Sequence, residues 1–126
     1  MRSVFFALLL LLAVLIGLFA FSGYLGDKSE GLLSVVDALI TATRDESWEE
    51  VDEGLSRLSE NWETLSPRLA LFSDHSLLDE IMLEVSSAKG YAAYREAPEL
   101  LADLETLRSL IAHLPKREAL SLYNIF

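Results

Sequence analysis

WEEVDEGLSRLSENWETLSPRLALF, residues 48–72, places Trp48, Val51, Leu55, Leu58, Trp62, Leu65, Leu69 and Phe72 at spacings that alternate between three and four. Most residues between them are acidic, hydroxylic or basic. A helix turns once in about 3.6 residues, so this spacing gathers the apolar side chains into one stripe and predicts an amphipathic helix with a buried face. Ser47 and Glu50 have the spacing of a capping box, which predicts Ser47 as the N-cap. Pro67 falls inside the pattern and removes a backbone donor; because the phase continues to Phe72, a kink is expected rather than a break.

The same rhythm extends in both directions. Upstream, Leu25, Ser29, Leu32, Val36 and Leu39 form a stripe that fades at Thr43 and is broken by Arg44-Asp45-Glu46-Ser47. Downstream, Leu78, Ile81, Val85, Ala88 and Ala92 form a third stripe after Ser73-Asp74, with Gly90 a weak point inside it. A fourth opens at Ala97-Pro98, where proline suits the first helical turn, carries Leu100, Leu104, Leu107, Ile111 and Leu114, and is expected to stop at Pro115. Short links make neighbours antiparallel. The fold class is therefore all-α: an antiparallel bundle of about four helices arranged as two helical hairpins. Shifting the chain by 49 positions lays Val51, Leu55, Leu58, Trp62 and Leu65 on Leu100, Leu104, Leu107, Ile111 and Leu114. Duplication of one hairpin explains this, and so does the common pattern of any two heptad hairpins of similar length.

Before the first stripe, Ser3 to Gly26 contains no charged residue, and Val4 to Phe21 is almost wholly Leu, Ala, Val, Ile and Phe. A helix needs about 20 apolar residues to cross a hydrocarbon core of about 30 Å. One transmembrane helix is expected, continuing into the bundle. The amino terminus and Arg2 are positive, whereas Asp27, Lys28 and Glu30 are net negative, so the positive-inside rule keeps the N-terminus cytoplasmic and the helical domain outside. The alternative is a signal peptide cut after Ser22, with Ala20 and Ser22 as its small residues, releasing a secreted helical protein. The expected divisions are an anchor at 1–26, an acidic bundle at 27–114 and an apolar tail at 115–126. If the first helix leaves the bilayer and the second returns, the end of the second, with Leu69, Leu71 and Phe72, reaches the membrane interface, and so does the tail.

Composition narrows the function classes. In 126 residues, 10 Lys and Arg against 20 Asp and Glu give a net charge of −10, which disfavours nucleic acid as a partner. The absence of cysteine removes disulfides, thiolate metal sites and a thiol nucleophile. No phosphate loop, serine-hydrolase motif, zinc-protease motif or EF-hand loop is present. The expectation is a protein that is not an enzyme and that uses no cofactor or metal. Asp74, His75 and Asp79, with Glu80, are the one cluster from which a catalytic or metal site can be imagined; helix capping and the helix dipole explain the same residues. His113 lies on another helix, at an end that the up-down topology brings near His75. Trp48 and Trp62 are expected in the core, with Tyr91 and Tyr94 beside them or at the distal end. The candidate partner-binding surface is Leu69, Leu71 and Phe72 together with Leu120, Leu122, Tyr123, Ile125 and Phe126 of the tail.

The chain resembles the bacterial family catalogued as domain of unknown function 4363. The resemblance lies in the N-terminal apolar segment, Trp48 and Trp62, the stretch Leu71-Phe72-Ser73-Asp74-His75 with Leu78-Asp79-Glu80, and the ending His113-Leu114-Pro115 with Leu120-Ser121-Leu122-Tyr123-Asn124-Ile125. It implies a short membrane-anchored helical protein, and an integral membrane partner of the family of domain of unknown function 421. Pro67 departs from the family's uninterrupted second helix. The expected role is a membrane-anchored interaction module, with self-association open to it.

Overall fold

The computed structural model describes residues 1–71 and 75–125, with side chains as far as Leu114. Four helices follow one another: α1 (Arg2–Arg44), α2 (Trp48–Leu69), α3 (His75–Ala93) and α4 (Ala97–Ile125). Each is the consequence of its stripe. Leu25, Ser29, Leu32, Val36, Leu39 and Thr43 on α1, and Val51, Leu55, Leu58, Trp62, Leu65 and Leu69 on α2, are all buried. So are Leu78, Ile81, Val85, Ala88 and Ala92 on α3 and Leu100, Leu104, Leu107, Ile111 and Leu114 on α4. These residues form one core. α1 packs on α2 and α4, and α3 packs on α4 and, over less surface, on α2, so α1 and α3 are diagonal in an up-down-up-down ring.

The two hairpin turns are the same device. α1 ends with Glu46 at φ 55°, and the amides of Glu46 and Ser47 donate to the carbonyls of Thr43 (3.1 Å) and Ala42 (2.9 Å). α3 ends with Arg95 at φ 56°, and the amides of Arg95 and Glu96 donate to Ala92 (3.1 Å) and Tyr91 (2.9 Å). Both are Schellman motifs, which satisfy carbonyls that the helix leaves unpaired. The two turns stand 95 − 46 = 49 residues apart, the offset read from the stripes, so the repeat extends to backbone geometry. Arg95 also ties the turns together at this distal end. It forms a two-pronged pair with Asp52 at 2.9 and 3.0 Å, and its guanidinium lies 5.2 Å from the centre of the Trp48 ring.

Three expectations are corrected. Ser47 is the N-cap of α2, but its side chain makes no capping bond and the capping box does not form; its amide is already committed to the Schellman turn. α2 ends at Leu69, short of the expected Phe72; Pro67 lies inside it, and the amide of Ala70 still donates to the Ser66 carbonyl at 2.9 Å. α4 runs through Pro115 to Ile125, so the expected stop at Pro115 does not occur. Proline deletes a single helical bond, and a 29-residue helix retains the rest. Of the two placements expected for the tyrosines, Tyr94 takes the distal end, 82% exposed in the turn, and Tyr91 rests against the core.

Gly54 is where α1 and α2 come closest. A Cβ there would lie 2.6 Å from Leu39 Cδ2 and 2.9 Å from Leu39 Cγ, and Leu39 is itself buried. A Cβ at Gly90 on α3 would meet nothing within 4 Å. Alanine is the better helix former by about 1 kcal/mol at either position, but overpacking a closed core costs about 1–3 kcal/mol. Gly90→Ala is therefore expected to raise the melting temperature and Gly54→Ala to lower it, as thermal unfolding followed by circular dichroism would read out.

Candidate functional site

The apolar half of α1 projects beyond the bundle, and no residue from 1 to 20 is buried. Its most apolar 18-residue window has a mean hydropathy of 3.1, with none of it covered by the rest of the chain. The end of the bundle from which it emerges, the proximal end, carries a cluster that the sequence reading did not single out. Arg68 Nη1, in the last turn of α2, donates to the Tyr24 hydroxyl at 2.7 Å. The Arg68 guanidinium lies 6.0 Å from the Tyr24 ring centre and Lys28 Nζ lies 5.7 Å from it. The final turn of α2 is thus level with Tyr24, three residues past the last phenylalanine of the apolar run.

Beside this cluster, α1 and α2 frame a cleft of about 270 Å³ lined by Tyr24, Asp27, Lys28, Gly31, Leu32, Asn61, Thr64 and Leu65. Among the described residues the ion pairs engage Arg44 with Glu105, Arg95 with Asp52 and Arg108 with Asp37. Neither Lys28 nor Arg68 is in one, although the chain has twice as many carboxylates as cations. Lys28 lies four residues after Tyr24 and was within reach of a local reading; Arg68 is 44 residues away in sequence and was not.

The expected partner surface divides. Leu69 is fully buried in the core and is withdrawn from any docking patch, because it completes the α2 stripe. Leu71 is 78% exposed at the same end. Leu120, Leu122, Tyr123 and Ile125 lie on the last turns of α4, their side chains outside the described residues, as are Phe72 and Phe126. His75, Asp79 and Glu80 are exposed on the first turns of α3, and Asp74 lies outside the described residues. Among the described residues no three His, Asp or Glu side chains converge as metal ligands would. His113 Nδ1 is 2.6 Å from the Ser109 carbonyl oxygen, which accepts only, so Nδ1 carries the proton. His113 shares a shallow pocket with Leu77, two residues from His75, so both histidines do lie toward one end.

A second polar feature joins α3 to α4. Glu84 Oε2 and Asp103 Oδ2 are buried atoms without a hydrogen-bond donor. Burial, then the neighbouring Asp103 carboxylate, then a bond between the two carboxyls once one holds a proton, push the Glu84 pKa above its ordinary value. With the folded pKa above the unfolded one, the pair is unstrained at pH below the ordinary carboxylate range. Its cost develops as pH rises through that range and is complete above the raised value. Glu84→Gln supplies a donor to Asp103 and is expected to melt higher than the parent at about pH 7, with the difference closing near pH 4. Melts at the two pH values read this directly.

The pattern described as Domain of unknown function (DUF4363) matches residues 19–125. This chain belongs to the DUF4363 family. The match begins at Phe19, near the end of the apolar run, and so includes the whole bundle and every residue of the proximal cluster. Among curated proteins and among solved structures nothing matches. In this DUF4363 chain an all-α bundle is joined to a helical segment that the rest of the chain leaves uncovered.

Proposed function

We propose that this DUF4363 protein is a membrane-anchored helical module that binds or stabilises an integral membrane partner at the outer face of the membrane. The observation that carries this reading is the continuity of α1: 43 residues, about 64 Å of unbroken helix. Its first half is apolar and uncovered, and its second half supplies core residues from Leu25 onward. A helix without a break between the two halves fixes the bundle to the membrane segment as one body, so the proximal end is held at the bilayer surface. Exposed Leu71 is at that end, and the α4 segment carrying Leu120, Leu122, Tyr123 and Ile125 runs toward it. A partner's transmembrane helices or their connecting loops offer the apolar surface that these residues fit.

A second reading, a secreted bundle released by cleavage after Ser22, is supported by the fact that every buried residue lies at or after Leu25. Cleavage there keeps every buried residue and removes, of those packed against the core, Phe21. One experiment separates the two. A photo-crosslinking residue replaces Leu71 in the full chain, and membranes are washed with carbonate before irradiation. The first reading expects full-length protein in the washed pellet and a discrete adduct with an integral membrane protein. Mature protein in the medium beginning at Gly23 overturns the anchor, and anchored protein with no adduct overturns the partner.

A further inference from the structure

We propose that the proximal cleft between α1 and α2 is a binding site for the phosphodiester headgroup of an anionic membrane phospholipid, held by Lys28, Arg68 and the Tyr24 hydroxyl. The proposal rests on the anchored reading of α1. Tyr24 stands just beyond the apolar run, at the depth where aromatic side chains sit among headgroups. Lys28 and Arg68 gather around its ring at 5.7 and 6.0 Å. Arg2, Lys28, Arg57, Arg68 and Lys89 are the described cations outside the ion pairs, and of these Lys28 and Arg68 meet around one ring, an arrangement suited to receive an anion there.

Charge and size select the ligand class. Lys28 and Asp27 line the cleft, and Arg68 stands beside it on Tyr24; together they leave a net charge of +1, and one phosphodiester carries a single negative charge. Arg68 retains guanidinium N–H groups beyond the Nη1 donor given to Tyr24, and the Tyr24 hydroxyl, accepting from Arg68, keeps its own proton to donate outward. On the α2 wall Asn61 adds a neutral amide donor, and the Thr64 hydroxyl, whose proton goes to the Glu60 carbonyl at 2.9 Å, adds an acceptor for a glycerol hydroxyl. Choline is disfavoured because the Tyr24 ring already faces two cations. The volume of about 270 Å³ is just under that of pockets for drug-sized ligands, enough for a headgroup with the acyl chains left in the bilayer.

The test is native mass spectrometry of the full-length protein released from mixed micelles of phosphatidylglycerol and phosphatidylcholine. The parent is expected to retain one phosphatidylglycerol in about ten-fold preference over phosphatidylcholine. A Lys28→Gln, Arg68→Gln double variant is expected to lose that preference, while Arg57→Gln, which removes an equal charge from an exposed position on α2, keeps it. Circular dichroism melts confirm that the double variant is folded; if it is not, Tyr24→Phe, which removes only the hydroxyl, is expected to reduce the preference by a smaller factor. Equal retention of the two lipids by the parent overturns the proposal, as does preference undiminished in the folded double variant. Displacement of the lipid by millimolar inorganic phosphate would assign the site to a free phosphate instead and also overturn it. Protein recovered as a soluble chain beginning at Gly23 would mark failure of the anchored reading; intact protein in the membrane without lipid preference would mark failure of the headgroup site alone.

Discussion

Trp62→Ala is expected to destabilise the bundle by about 3–5 kcal/mol, the largest loss from any single truncation in this core. Trp62 is 5% exposed on the α2 stripe, between buried Leu58 and Leu65. Its indole is the largest side chain in the core. Alanine would remove that volume between helices whose backbones are fixed by their own hydrogen bonds, so the cavity closes only in part. A domain near 100 residues is stable by about 5–15 kcal/mol in total. The loss should appear as a fall of roughly 15–30 °C in the melting temperature of the detergent-solubilised protein. Trp48→Ala is the control. Trp48 is half-buried at the distal end, with Arg95 over its ring, and its removal should cost far less. Equal melting of the two variants would refute the assignment of Trp62 to the centre of the core.

That Trp62 was identifiable before the fold was known illustrates what is local in this protein. The alternation of three and four is a property of each helix taken alone, and burial followed it even at Ser29 and Thr43, where the stripe is polar. Thr43 tolerates this because its hydroxyl donates to the Leu39 carbonyl at 2.8 Å. Where burial depends on two neighbours at once, the stripe was too narrow. Leu77 precedes the expected α3 stripe and is buried beside Leu78, since α3 packs on both α2 and α4. The turns were harder to read because their left-handed positions hold Glu46 and Arg95, residues with none of glycine's ease there. A proline is a local signal too, but at Pro115 its effect was misjudged. Pro67 precedes the end of α2 by two residues, whereas Pro115 lies inside α4. What differs is the length of regular helix left to carry the chain onward.

The proximal site was less legible than the core for the same physical reason. Leu69, Leu71 and Phe72 looked alike as apolar residues near one helix end, and only packing separates Leu69, which completes the core, from Leu71, which faces outward. The cluster around Tyr24 depends on an antiparallel register that brings α2 back to the point where α1 leaves the apolar run. Antiparallel order was inferred from short links, but the register that sets Arg68 on Tyr24 was not. A few ångströms of register decide whether two cations meet around one tyrosine ring or are spread along a solvated face.

The same register makes the orientation of the whole protein measurable from one position. Ser56→Cys, in a chain with no other cysteine, is expected to react with a membrane-impermeant maleimide in intact cells nearly as completely as after lysis. Ser56 is exposed on α2, and α2 spans about 33 Å over its 22 residues. Ser56 is near the middle of that length, roughly 18 Å along the helix from Arg68. A thiol there clears the headgroups whichever way the anchor tilts, so labelling reports the side of the membrane and not the depth of the residue. Arg2 against Asp27 and Glu30 predicts that side to be the exterior. Labelling confined to lysed cells would reverse the orientation. The bundle would then face the cytoplasm, with the proximal cations beneath the inner leaflet and the search for a partner turned to that side.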